Sequence, residues 1–159
     1  MGLAEKLAKT ACEFKYENFS AELIENAKLH VLDGIGIAMH GSTLRPLFDP
    51  LIKILRRWGG EGDSSVFGEP DGFPSQEAAF LNSVINSASA YTETHRATLA
   101  HPYAPVLATA LAVGEEESLS GKDLLLAMVV GYEVFLRIAV AVNPSLLHRG
   151  IQTTGAIAP

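Results

Sequence analysis

The stretch Leu124-Leu125-Leu126-Ala127-Met128-Val129-Val130-Gly131-Tyr132-Glu133-Val134-Phe135-Leu136-Arg137-Ile138-Ala139-Val140-Ala141-Val142 decides what kind of protein this is. Its nineteen residues carry only two charges, Glu133 and Arg137. That is enough apolar helix to span a bilayer. Two features favour a soluble core helix instead. Charges four residues apart on a helix can pair along one face, whereas an ion pair midway along a lone lipid-facing span is costly. The neighbouring segments are also amphipathic, as in a soluble protein. The stretch reads as a central core helix from Gly121 to about Val142. Ser120-Gly121-Lys122-Asp123 starts it as a capping box with Asp in place of Glu, and Asn143-Pro144 ends it.

Working outward from it, the helical period recurs. A first helix is predicted from about Leu3 to Phe14, with Cys12 as a packing residue. A second is capped by Ser20 and ends at Gly41. On it Leu23, Ile24, Ala27, Val31, Ile35 and Ala38 form one face, and Glu22, Asn26, His30 and Asp33 the other. Beyond Asp33 it is almost wholly apolar, so its second half is expected to be buried. A third helix runs from about Pro46 to Trp58, before the Gly59-Gly60-Glu61-Gly62 loop. Ser64 to Phe67 is a short extended piece. A fourth helix, capped by Ser75, runs to about Tyr91, and a fifth runs from Pro102 to Val113. No segment alternates as a strand would, and nothing repeats. The expected fold is all-α, a bundle or array of about six helices filling residues 1–159 as one domain.

Composition narrows the function. A chain of 159 residues with 48% apolar and 19% charged residues can bury a real core. A net charge of -6 argues against a nucleic-acid partner, which needs a clustered basic surface. The single cysteine, Cys12, excludes a disulfide framework and a zinc–cysteine site. The N-terminus lacks the basic start and apolar run of a signal peptide, so the cytoplasm is the expected compartment. Ile151 to Pro159 reads like the start of a further element, and the chain is expected to be the front part of something longer.

The chemistry is concentrated in Tyr91-Thr92-Glu93-Thr94-His95-Arg96-Ala97-Thr98-Leu99-Ala100-His101-Pro102. Two histidines, an arginine, a carboxylate and several hydroxyls lie between nearly apolar helices, and buried polar groups need partners. His95 and His101 are six apart and lack the i, i+4 spacing of a helical zinc pair, so no metal is expected. One imidazole within reach of a substrate proton suffices for acid–base work, and Arg96 with the threonines could orient a carboxylate beside it. The plain alternative is that His101 caps the next helix and His95 faces solvent. A second cluster, His148-Arg149-Gly150-Ile151-Gln152-Thr153-Thr154-Gly155, is either an anion-binding helix start or an ordinary helix-entry loop with a threonine cap.

Five segments, in order, resemble the MmgE/PrpD family in its N-terminal helical domain. Ala27-Lys28 through Leu32-Asp33-Gly34-Ile35-Gly36 is similar to the family's "AK…LDxxG" helix. Val66-Phe67-Gly68, Pro74-Ser75 and Ala78-Ala79-Phe80-Leu81-Asn82 are similar to "VFG…P…AAFxN". Thr94-His95 through His101-Pro102 resembles "DDTH…HP". Gly131-Tyr132-Glu133-Val134 with Arg137-Ile138 resembles "GYEVxxRI", and Arg149-Gly150 through Gly155 resembles "RGFHPTG".

The resemblance implies a cofactor-independent lyase or isomerase that acts on a small di- or tricarboxylate by proton transfer next to a carboxylate. 2-Methylcitrate dehydratase, cis-aconitate decarboxylase and iminodisuccinate epimerase are its types. By resemblance His101 takes the place of the family's active-site histidine and Thr94 that of its threonine. Beside them His95 is expected to position His101 or the substrate, Arg96 and Arg149 to neutralise substrate carboxylates, and Gln152 with Thr153 to hydrogen-bond one. The resemblance also implies a homodimer through the helical domain and a lid domain that this chain lacks. The chain departs from the family pattern at Ala90, at Thr92-Glu93 in place of an acidic pair, and at Gln152 and Thr153 in place of "HP". Gln152 can hydrogen-bond a substrate but cannot shuttle a proton, which points to a different substrate or an epimerase-like use of fewer groups. The alternative to an enzyme is a truncated or degenerate helical module that acts only in oligomer assembly.

Overall fold

The computed structural model describes residues 1–158. Its elements are α1 (Leu3–Glu13), α2 (Ala21–Gly41), α3 (Asp49–Gly59), α4 (Ser75–Ala88), α5 (Tyr103–Glu116), α6 (Gly121–Val142), α7 (Ser145–His148) and α8 (Thr153–Ile157). No sheet forms among the described residues, only isolated bridges between Ser64 and Phe73 and between His95 and Ala100. The fold is all-α, with six long helices and two short ones.

Local chemistry sets the helix starts. The Ser20 hydroxyl accepts the Leu23 N–H at 3.1 Å and begins α2. At Ser120 the capping box closes both ways, with Asp123 accepting the Ser120 N–H at 3.0 Å. Ser75 does not cap α4. Pro74 takes the cap position, and Ser75 is the buried first residue of the helix. Pro46 lies in a separate 3-10 turn, Arg45–Leu47, so α3 begins later than expected. The fourth helix stops at Ala88, short of Tyr91, because Ala90 turns to φ 57°.

The core is built around α4 and α5, with α2 laid across both. Leu81, Ile85 and Ala78 of α4 pack with Phe48, Ile52, Val66, Phe73 and Ala112. Two glycines let α2 approach. A Cβ on Gly41 would lie 2.1 Å from the Ile85 carbonyl oxygen, and one on Gly34 would lie 2.4 Å from Leu107 Cδ2. Gly41 is thus required by a close approach of backbones, more than by the helix end it marks. Asn82 ties the extended piece to α4, accepting the Phe67 N–H at 3.0 Å and donating to the Ser65 carbonyl at 2.8 Å.

Three expectations need correction. First, α6 is not the central helix. It packs on α5, α8 and α2 along one stripe, burying Leu125, Met128, Phe135 and Ala139. Its other apolar side opens, with α5, into a groove of about 720 Å³ walled by Val106, Val113, Val134 and Ile138. By length and composition α6 could still cross a membrane. Its two charges pair as expected, Arg137 Nε donating to Glu133 at 2.6 Å. Second, the latter half of α2 is only half covered. Gly34, Ala38 and Gly41 face the core, while Leu32 and Met39 are exposed. Third, Cys12 is exposed, because α1 lies at the periphery and buries no residue.

Candidate active site

The 91–102 segment is a tight loop, held by its own backbone and by three helices. The His95 N–H donates to the Ala100 carbonyl at 2.9 Å, and the Leu99 N–H to the His95 carbonyl at 2.8 Å. Closing so short a loop places Ala90 and Leu99 in the left-handed region, at φ 57° and 52°. That conformation costs an L-residue roughly 1–2 kcal/mol each. Strain of this kind tends to gather at functional sites.

Glu93 anchors the loop. Its carboxylate accepts the Tyr103 N–H, at 3.1 and 3.2 Å to its two oxygens, so it sits on the N-terminus of α5. A free N–H and the helix dipole both favour a carboxylate there. The Tyr132 hydroxyl of α6 donates to the same carboxylate at 2.5 Å. Burial pushes the Glu93 carboxyl above its usual range, partly offset by the bonds from Tyr132 and Tyr103 and by the nearby His101. Burial, and then the Glu93 charge, push the Tyr132 phenol upward, so Tyr132 remains a donor. Burial also raises the Tyr103 phenol, helped by Asp33. His30 of α2 completes the cluster, its Nδ1 lying 3.1 Å from the Tyr103 hydroxyl. The His30, Tyr103 and Tyr132 rings meet edge to face.

His101 lies at the other end of the loop. Its Nδ1 is 2.7 Å from the Glu93 main-chain carbonyl and 3.3 Å from the Thr94 hydroxyl. A carbonyl only accepts, so Nδ1 carries a proton, and in the neutral imidazole Nε2 then carries the lone pair. The Thr94 hydroxyl can accept the weaker branch of that bond and keeps its own proton to donate. Behind the ring, the His101 N–H donates to Thr154 of α8 at 2.7 Å. His101 is therefore held from both sides by main-chain and side-chain bonds, with a basic nitrogen to spare.

The other sequence-predicted residues separate into two groups. Arg96 and Arg149 are exposed, and neither guanidinium forms an ion pair among the described residues. His95, Gln152 and Thr153 are engaged internally. His95 Nδ1 meets the Thr98 hydroxyl at 2.9 Å. Gln152 caps α8 through the Gly155 N–H at 3.2 Å, and its amide donates to the Leu99 carbonyl at 3.2 Å. Thr153, 0% exposed, donates to the Thr98 carbonyl at 3.3 Å. Thr153 packs α8 onto the loop, and its neighbour Thr154 is the residue that reaches His101. The helix-entry reading of Gln152-Thr153 fits better, with glutamine as the cap.

Reading the sequence alone missed Glu93, Tyr103, Tyr132 and His30 as one cluster. The signal for Tyr132 was its place between Gly131 and Glu133 in a segment already singled out. The signal for His30 was its place on the polar face of α2. Between α2 and α6 a cavity of about 430 Å³ opens beside Thr94 and His95, with Leu23, Ala27, Met128 and Leu136 as its apolar walls. Among the described residues no three His, Cys, Asp or Glu side chains converge as a metal ion would need.

Known proteins are similar to the chain in sequence. It is 31% identical over 153 residues to the cis-aconitate decarboxylase-like protein oryM of Aspergillus oryzae, an alignment covering 91% of the chain and 32% of that protein. It is 31% identical over 138 residues to the cis-aconitate decarboxylase of Homo sapiens, covering 83% of the chain and 28% of that enzyme. With the cis-aconitate decarboxylase of Aspergillus terreus it shares 26% identity over 155 residues, 94% of the chain and 31% of the enzyme. The chain thus spans about a third of the length of these relatives. The model of the MmgE/PrpD N-terminal domain matches residues 5–158, and the chain belongs to the MmgE/PrpD family.

Proposed function

We propose that this chain supplies the histidine-bearing part of a lyase active site for a small di- or tricarboxylate. His101 Nε2 exchanges a proton on a carbon next to a carboxylate, and the Thr94 hydroxyl orients that carboxylate. The observation that carries this reading is the His101 geometry: an imidazole whose Nδ1 is committed to a carbonyl at 2.7 Å, with Thr94 beside it. The names of the relatives favour decarboxylation of a cis-aconitate-like acid. Dehydration and epimerisation use the same proton transfer, and the proposal covers all three. No cofactor is invoked.

Arg96 and Arg149 are the cations that this reading assigns to substrate carboxylates, since both are exposed. His95 keeps a supporting role through Thr98, and Gln152 acts by holding the loop. A cytoplasmic setting and a homodimer through the helical domain belong to the same proposal.

The test is a screen of di- and tricarboxylates in the protein that carries residues 1–159. Proton exchange or loss next to the carboxylate is followed by NMR, with His101→Gln as control. Turnover that disappears in His101→Gln while the helical fold persists is the expected result. Turnover retained by His101→Gln, or no response to any polycarboxylate, would overturn the reading. A second reading, assembly without catalysis, is favoured by the open apolar groove between α5 and α6. It would lead if the protein binds no polycarboxylate yet self-associates.

A further inference from the structure

The ring of His101 is not bonded to a carboxylate, although the Glu93 carboxylate is close at hand. That carboxylate faces away, toward the N-terminus of α5 and the Tyr132 hydroxyl, while the carbonyl of the same residue meets His101 Nδ1. Residue 93 is therefore held at three points. Two are on its side chain and belong to different helices, and the third is the bond it offers to the imidazole.

We propose that Tyr132 is a positioning residue: by tying the Glu93 side chain to α6 it holds the Glu93 carbonyl against His101, and so selects the tautomer in which Nε2 is the base. The inference rests on the reading of His101 as the acid–base residue. Unconstrained neutral histidine favours the opposite tautomer, with the proton on Nε2, and would present no base on that side. Which nitrogen carries the proton is set by the bond that the other one makes. Here that bond comes from a main-chain carbonyl, whose direction follows the placement of residue 93. The loop is strained at Ala90 and Leu99, so its conformation must be held by the bonds made to it. Tyr103 supplies only an N–H to Glu93. Tyr132 supplies the short hydroxyl bond at 2.5 Å from the middle of α6, and it alone of that helix bonds Glu93; Asn143, the C-cap, donates to the Ala97 carbonyl at 2.7 Å, farther along the loop.

The prediction is read without substrate. The five histidines are labelled with nitrogen-15, and the His101 signals are identified by their loss in His101→Gln. Long-range proton–nitrogen correlation, at a pH where the imidazole is neutral, then reports which nitrogen is protonated. The native chain is expected to hold His101 in the Nδ1–H form. Tyr132→Phe keeps the ring against His30 and Tyr103 and removes only the hydroxyl. It is expected to raise the Nε2–H to Nδ1–H ratio by about three- to tenfold, the factor to which one ordinary hydrogen bond corresponds. Glu93→Ala should do the same, and Glu93→Gln, which can still accept both bonds, should stay near the native ratio.

A native chain with the proton on Nε2 overturns the proposal. So does a native ratio in Tyr132→Phe or Glu93→Ala when the amide spectrum shows an intact fold. Should one of these variants not fold, the other and the native spectrum still decide. The two readings also fail separately. A polycarboxylate reaction that depends on His101, in a protein whose Tyr132→Phe variant keeps the native tautomer, removes the role of Tyr132 and leaves the lyase. A correct tautomer in a protein that binds no polycarboxylate removes the lyase and leaves the tautomer device.

Discussion

α4 buries Ser75, Asn82 and Asn86 among Ala78, Leu81 and Ile85, whereas α6, a longer and more apolar helix, buries four residues and leaves Val140 57% exposed. The difference is one of fit. Around α4 a neighbour approaches backbone to backbone, at Gly41 and the Ile85 carbonyl, whereas Gly131 of α6 meets only the Val106 side chain. The Asn82 and Asn86 amides each bond a backbone group. Around α6 the apolar surface exceeds what α2, α5 and α8 can cover. Apolar content alone does not place a helix at the centre; directed polar bonds and close backbones do.

The largest expected effect tests the close approach. Gly41→Ala would put a methyl group 2.1 Å from the Ile85 carbonyl oxygen. That oxygen belongs to helix backbone and cannot rotate aside, so α2 and α4 must separate. The expected loss is about 3 kcal/mol, at the upper end of ordinary overpacking, read by urea unfolding. A loss below about 1 kcal/mol would mean that the α2–α4 side yields as readily as the α6 side, and the contrast would fail.

Next in size is Asn82. Its amide holds the Phe67 N–H and the Ser65 carbonyl at once. Asn82→Ala removes both bonds and strands two main-chain groups, which is expected to cost about 2–3 kcal/mol. The loss should appear as a lower denaturation midpoint with an unchanged slope. It would also show that the asparagine in the "AAFxN" stretch serves the fold, not the chemistry.

The sequence made the helices legible because their signals are local: Ser20 and Ser120 caps, apolar periodicity and glycine-rich stops. It also singled out the polar 91–102 loop between apolar helices. It could not show which way the loop's side chains turn. Thr153 and Thr154 are indistinguishable as letters, yet one is buried under the loop and the other bonds the His101 N–H. In the sequence Glu93 is only a departure from the family's acidic pair. Its role as an anchor depends on Tyr103 and Tyr132, ten and thirty-nine positions away. The burial of α6 was overread for the same reason, since periodicity identifies an apolar face but not what lies against it.

A smaller effect of opposite sign is expected at Leu99. This side chain is 51% exposed and its backbone is left-handed at φ 52°. Leu99→Gly relieves the strain and loses little packing, while the glycine adds freedom to the unfolded chain. The net gain is expected to be about 0.5–1 kcal/mol, read as a higher melting temperature. If the strain helps to aim His101, the same variant should turn over more slowly while being more stable. Equal or faster turnover would separate the loop's strain from its function.

The smallest effect is expected on the open side of α6. Val140→Lys places a charge on a helix face that meets solvent. It is expected to change the unfolding free energy by less than about 0.5 kcal/mol, as ordinary surface substitutions do. A loss above about 2 kcal/mol for Val140→Lys, well outside the surface range, would show that this face is covered in solution. A melting temperature that rises with protein concentration in the native chain, and not in Val140→Lys, would then identify a second copy as the cover. The two sides of the molecule would in that case differ only in which chain supplies the packing.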